Sequence, residues 1–286
     1  MDDSICRSLG FSSHVEGRAS LYRRTKLLYD ADVVDSVASV AQCLIFLSLW
    51  SEGGTAQRDA WYWANCLTSL VEKTEPWRNI GGSSTATMSP VLWWCCLARE
   101  THVALVLRRP PRMFRLHKYV PCSMLQDYPT IIGDKTSSGD PLLRMRAASC
   151  LTLTARLVMI IAQILHNDFA DMPGTSDQKN AVFESCEREL IDWSREFLDT
   201  FPATKERPYR SNCETGPFFI VSLLMHDTAI NALYLPRVLK SHPTHSASTY
   251  KIPQYKEKMR RAATRTAVLI TEAFESEWKE TIPTQL

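Results

Sequence analysis

Hydrophobic residues return every three or four positions along most of this chain. Between Val33 and Trp50 they fall at Val33, Val34, Val37, Ala38, Val40, Ala41, Leu44, Ile45, Leu47 and Trp50, which is the period of a helix face and not the alternation of a strand. The spacing predicts a helix there, broken by Gly53-Gly54. Thr55 is the expected cap of a second helix reaching about Thr74, with Ala60, Trp61, Ala64, Leu67, Leu70 and Val71 on one face, so the two make an antiparallel hairpin. Ser89-Pro90 reads as N-cap and first helical residue of a third helix that stops before Pro110. Asp140-Pro141 repeats that signal and opens a helix to about Phe169. It is apolar nearly all round at Leu157, Val158, Met159, Ile160 and Ile161, and is therefore central. Thr175 and Gln178 stand in capping-box spacing ahead of a more polar helix to Phe201. Gly216-Pro217 begins an apolar helix to about Leu235, and an amphipathic one runs from about Pro253 to Lys279.

No segment alternates as a strand, no Asn-Gly or Asp-Gly marks a hairpin, and no fixed period marks a solenoid. The fold class is all-α, a single multi-helical domain of about seven to nine helices. Residues 1–20 are expected to be a poorly ordered N-terminus, 21–240 the body, and 241–286 a loop and C-terminal amphipathic helix packed on the same body. The Gly81-Gly82 loop and the stretches 134–139, 204–212 and 241–249 are the other places where little order is expected.

Lys plus Arg number 33 and Asp plus Glu 31, a net charge of +2, which excludes a polybasic nucleic-acid coat or an acidic tail as the organising feature. Nine cysteines are spread along the chain, Cys95 and Cys96 being adjacent, and none forms C-x-x-C. Several sit among apolar neighbours, as Cys43 and Cys150 do, where a reduced thiol acts as a small hydrophobe and a reducing compartment is expected. The N-terminus opens Met1-Asp2-Asp3-Ser4, without the apolar core of a secretory signal or the arginines of a transit peptide. No run reaches 18 uninterrupted apolar residues, so no membrane span is expected.

The usual phosphate-loop, dinucleotide, zinc-protease and nucleophile-elbow motifs are absent, and no catalytic, cofactor-binding or metal-ligating residue is assigned. His242 and His245 are three apart but have no Cys or carboxylate nearby, too few ligands for zinc. Cys95 and Cys96 diverge by about 100° on a helix and cannot chelate. His226 precedes Asp227 inside an apolar helix. Adjacent helical residues do not face each other, so His226 reads as a hydrogen-bonded core histidine rather than an activated base. Two basic runs, Arg108, Arg109, Arg112, Arg115, Lys118 and Lys256, Lys258, Arg260, Arg261, Arg265, read as solvated or salt-bridged faces.

Val91-Leu92-Trp93-Trp94-Cys95-Cys96-Leu97-Ala98-Arg99, followed by Leu107-Arg108-Arg109-Pro110-Pro111-Arg112-Met113, resembles the signature of the fungal-specific transcription factor domain, the middle homology region of fungal zinc-cluster regulators. Gln42 to Trp50, Ala60-Trp61-Tyr62-Trp63 and Leu223 to Tyr234 are similar to further helices of that domain, and the cutinase-regulator type looks nearest. The resemblance covers about residues 20 to 240. It implies a nuclear regulatory and interaction domain, not an enzyme, governing a secondary-metabolite or catabolic gene set. Trp93, Trp94, Arg99, Arg108, Arg109 and Pro110 are its motif residues, with a structural role. The six-cysteine cluster that reads DNA in the family has no counterpart in this spacing of cysteines, so zinc is expected only with a cluster outside these residues. DNA is then reached indirectly or through that missing cluster, and the expected partners are other proteins or a second copy and a small-molecule effector, with no membrane. A helical enzyme or small-molecule sensor with an unrecognised site is the alternative. Where the family carries acidic residues after its Arg-Pro motif, this chain has Phe114-Arg115-Leu116-His117-Lys118. Arg99, in mid-helix, is expected to pair with a carboxylate or a helix C-terminus, because a buried unpaired charge is costly.

Overall fold

The computed structural model describes residues 3–50, 58–75, 88–119, 125, 141–169, 175–201, 216–239 and 251–275. Among them are nine α-helices and no strand: α1 Asp3–Ser8, α2 His14–Asp30, α3 Val37–Ser48, α4 Ala60–Thr74, α5 Pro90–Leu107, α6 Pro141–Phe169, α7 Ser176–Thr200, α8 Gly216–Leu239 and α9 Ile252–Glu275. A 3-10 helix covers Met113–Tyr119. The all-α fold class is as the periodicity requires.

Local chemistry sets the helix starts. The Ser89 hydroxyl accepts the Leu92 N–H at 3.2 Å ahead of Pro90. Thr175 and Gln178 close both halves of a capping box, satisfying two backbone donors that would otherwise lack partners. α4 starts later than expected: its cap is Asp59, whose carboxylate accepts the Tyr62 N–H at 2.8 Å, and Thr55 lies outside the described residues. The loops expected around residues 81–82, 134–139, 204–212 and 241–249 also lie outside them.

The N-terminal twenty residues differ most from expectation, because α1 and the first half of α2 occupy them. Ser13-His14-Val15-Glu16 is a helix-start signal: Ser13 Oγ accepts the Glu16 N–H at 3.2 Å and Glu16 accepts the Ser12 N–H at 2.8 Å. Tyr22 and Tyr29, two turns apart, then tie α2 down. Trp63 Nε1 donates to the Tyr22 hydroxyl at 3.3 Å, and the Tyr29 ring meets Trp63 edge-on at 5.6 Å.

The chain divides into two compact units, one of Met1–Val103 with Arg112–Leu125, the other chiefly of Ala104–Pro111 with Gln126–Ile282. In the first, α3 packs on α4 and on α2, and Leu44, Leu47, Trp63, Leu67, Trp93 and Leu97 fill its core. In the second, α6, α7 and α8 pack on one another and α9 lies along α8. Trp193 joins three of them: its ring stacks on Phe197 at 4.7 Å and on His226 at 5.2 Å, while its Nε1 donates to the Leu153 carbonyl at 2.7 Å.

Ala148–Phe169 and Phe219–Leu239 are long and apolar enough to cross a membrane, but 61% and 67% of their apolar windows are buried within the protein, as befits core helices. α8 runs past Leu235 and carries Pro236 in its last turn, where a missing N–H costs one helical bond. Cys6, Cys96, Cys150 and Cys186 are buried, Cys43 and Cys66 partly so, and Cys95 is exposed.

Candidate functional site

α5 carries the motif residues. Trp93 and Trp94 are both buried, and their rings meet edge-on at 5.3 Å, the arrangement that aromatic quadrupoles favour. Neither indole N–H has a hydrogen-bond partner among the described residues. Two turns on, Arg99 is 8% exposed. Its Nε donates to Ser48 Oγ at 2.7 Å and its Nη2 to the Ser48 carbonyl, at the C-terminal end of α3, where the helix dipole favours a cation. Burial pulls the guanidinium down to about 10, so it remains charged at neutral pH.

Glu100, 1% exposed, points elsewhere because successive side chains on a helix diverge. Its two oxygens accept the backbone N–H groups of Arg112 at 2.6 Å and Met113 at 3.1 Å. Arg112 in turn reaches α4, donating to Glu72 at 2.6 Å and to Asn65 at 3.4 Å. Burial pushes the Glu100 carboxyl up to about 7, against the two N–H bonds and the Arg112 charge, which lower it. The segment after the Arg-Arg-Pro-Pro run is thus stapled to α5 by a carboxylate that sequence reasoning did not single out.

The Arg-Arg-Pro triplet ends the helix. Arg108 takes φ +54°, its N–H reaches the Leu105 carbonyl at 3.3 Å, and the Arg109 N–H reaches the Ala104 carbonyl at 2.9 Å. This is the Schellman stop, normally built on glycine and followed by proline. Pro110 follows here and Arg109 is exposed. Burial lowers the Arg108 pKa, and its Nη1 has no hydrogen-bond partner among the described residues.

In the second unit α7 and α9 both lie on α8, and a cavity of 590 Å³ opens between them. Its floor is the stripe His226, Ile230 and Tyr234 of α8. The α7 wall runs from Glu187 through Leu190, Ile191 and Arg195 to Leu198, and the α9 wall from Lys258 through Arg261 and Ala262 to Arg265. At one end Lys258 donates to Glu187 at 2.5 Å and to the Tyr234 hydroxyl at 3.2 Å, and that hydroxyl donates to Glu187 at 2.6 Å. Burial opposes the Glu187 charge, but Lys258 and Tyr234 outweigh it and hold the carboxyl below its usual value. Burial, then the Glu187 carboxylate, push the Tyr234 phenol well up.

At the other end Asp227 has no exposed surface, and Arg265 Nε bonds both its oxygens, at 3.0 and 2.9 Å. Arg265 Nη2 also lies 2.8 Å from His226 Nδ1. A guanidinium only donates, so Nδ1 accepts and Nε2 carries the hydrogen, donated to the Leu190 carbonyl at 3.2 Å. His226 Nδ1 and Asp227 Oδ1 are 3.3 Å apart. The expectation that these neighbours do not approach one another is corrected by the third partner: Arg265 of α9 grips both. The expectation of a solvated or salt-bridged basic face is refined for the same residue, which is a part-buried member of that cluster. The signal was available, since Arg265 shares the inner face of α9 with Ala262 and Leu269, both buried.

Both nitrogens of His226 are committed to protein groups, as befits a core histidine. His102 is partly buried, and burial, with the nearby Arg99 charge, holds its imidazole down to about 4. Cys95 faces out and Cys96 in. His242 and His245 lie outside the described residues. Among the described residues no three His, Cys, Asp or Glu side chains are grouped to hold a metal ion.

Residues 6–197 match the family described as fungal specific transcription factor domain. The chain is 23% identical over 320 residues to cutinase transcription factor 1 beta of Fusarium vanettenii, covering 99% of this chain and 36% of that protein. It is also 23% identical over 312 residues to a protein of Fusarium pseudograminearum (strain CS3096) described as a transcription factor, covering 95% and 34%. Cutinase transcription factor 1 alpha of Fusarium vanettenii is 27% identical over 96 residues, 32% of this chain and 11% of that protein. The chain spans about a third of the length of the two relatives that cover nearly all of it. No solved structure matches it. The matched stretch holds the tryptophan pair, the Arg99 and Glu100 anchors and the proline-terminated stop of α5, and on that match the chain belongs to the fungal specific transcription factor domain family.

Proposed function

We propose that this chain is the regulatory and interaction region of a fungal transcription regulator, acting in the nucleus on a secondary-metabolite or catabolic gene set, without catalytic activity of its own. The observation that carries the reading is the family match over residues 6–197, and the names of the relatives agree with it. Trp93, Trp94, Arg99, Arg108, Arg109 and Pro110 serve in it as framework rather than as contacts: they fix where α5 sits and where it stops. DNA reading belongs to a part outside these residues, in the same polypeptide or in a partner, and zinc belongs with that part. The remaining partners are proteins, including a second copy, and a small-molecule effector.

Deleting the gene and profiling transcripts tests the reading, together with imaging of a tagged full-length copy. A nuclear protein and a changed, coherent set of transcripts are expected. A strictly cytosolic protein with an unchanged transcriptome would overturn it.

A further inference from the structure

The cavity between α7 and α9 has the size of a ligand site, since 590 Å³ lies within the range of about 300–1,000 Å³ that such pockets occupy. Its α7 wall extends from Glu187 to Leu198, about 16 Å at helical rise. The middle is apolar, with Leu190, Ile191, Ile230 and Ala262, and Ile191 and Leu198 are 49% and 37% exposed, although large aliphatic side chains gain by burial.

The charges around it are of two kinds. Lys258 and Arg265 are held by Glu187 and Asp227 and belong to the frame. Arg195 on α7 and Arg261 on α9 stand on opposite walls and, among the described residues, pair with Asp192 and Glu257, one turn back on their own helices, with arginine side chains 68% and 75% exposed. Such pairs are weak and screened by solvent, so either guanidinium exchanges its partner readily for an acid held against the apolar wall. Glu187, the one acid in the lining among the described residues, is already paired with Lys258.

The geometry points to this groove as a binding site for an apolar carboxylic acid, its elongated body on Leu190, Ile191, Ile230 and Ala262 and its carboxylate taken by Arg195 and Arg261. Its regulatory meaning rests on the function proposed above: a ligand lying on both walls ties α7 to α9, and so makes the pairing of these helices depend on a metabolite.

The test uses two fluorescent probes on the purified chain: anilinonaphthalene sulfonate, and phenylnaphthylamine, nearly the same body without the charge. The sulfonate probe binds at one site per chain and is displaced by decanoate far better than by decanol. The double variant Arg195→Gln, Arg261→Gln weakens the sulfonate probe and decanoate by about tenfold and the neutral probe by less than about twofold. Ile230→Trp, which fills the floor, removes both probes. Absence of a single-site complex, equal displacement by decanoate and decanol, or equal loss of both probes in the arginine variant would each overturn the proposal. Both arginines are exposed, so that variant keeps the test decisive even if Ile230→Trp fails to fold. Binding is read without reference to transcription: failure here leaves the regulatory reading standing, and a binding-competent chain that regulates nothing overturns that reading alone.

Discussion

Glu100→Gln separates the charge of this buried carboxyl from its shape. In the folded chain the group sits at about 7, against 4.5 when free, so the folded state holds the proton more tightly than the unfolded one. Its charged form is therefore a cost that is absent below the free value and grows as pH rises through 4.5 towards 7. Between about pH 5 and pH 8 the two values give a loss of about 2.5 kcal/mol, at about 1.36 kcal/mol per unit. The two N–H bonds from Arg112 and Met113 are already included in that balance. Glutamine resembles the protonated acid and has no such slope. At pH 5 the variant is expected to match the wild type within about 1 kcal/mol, the cost of one backbone N–H that its amide cannot accept. At pH 8 it should be more stable by about 2 kcal/mol. Urea unfolding of both proteins at the two pH values, read by tryptophan emission, gives the double difference in which other titrating groups cancel. Parallel pH dependence in wild type and variant would refute the reasoning and would mean that the two N–H donors and the Arg112 charge offset burial in full.

Arg99→Met removes both bonds to Ser48 and should destabilise by about 2 kcal/mol, with Lys recovering part of the loss, as measured by chemical denaturation. Arg265→Ala leaves the Asp227 carboxylate buried without its cation and should cost about 3–5 kcal/mol, whereas the paired change Asp227→Asn with Arg265→Met should cost less than the single change; thermal unfolding decides between them. Arg108→Gly relieves a left-handed backbone and should raise stability by about 0.5–1 kcal/mol, seen as a higher Tm.

The helices that were legible in the sequence carry their own start signals or a periodic apolar face: α5 through Ser89-Pro90, α7 through Thr175 and Gln178, and α3 through its valines and leucines. α2 is not legible because its composition is polar and its hold on the unit comes from two tyrosines meeting Trp63, a contact between residues 34 or more positions apart that no local window contains. The role of Glu100 is hidden beside Arg99 because its partners are backbone N–H groups, which leave no trace in a residue pattern. The approach of His226 to Asp227 is illegible for a related reason. A rule about neighbours on one helix says nothing of a guanidinium arriving from another, and the groove between α7 and α9 exists only once three helices are in place.

The distribution of cysteines makes the protein its own unfolding clock. Cys95 is exposed and, although burial raises its thiol too, should be the first of these to meet an alkylating reagent, whereas Cys96 and Cys186 are buried and burial pushes the Cys186 thiol up to about 12 and the Cys96 thiol up as well, so neither should react until its surroundings open. Cys6 and Cys96 belong to the first unit, Cys150 and Cys186 to the second. Timed alkylation followed by peptide mass mapping therefore reports the opening free energy of each unit separately, in one tube and without a label, and a change confined to one pair tells which half of the chain a mutation or a ligand has tightened.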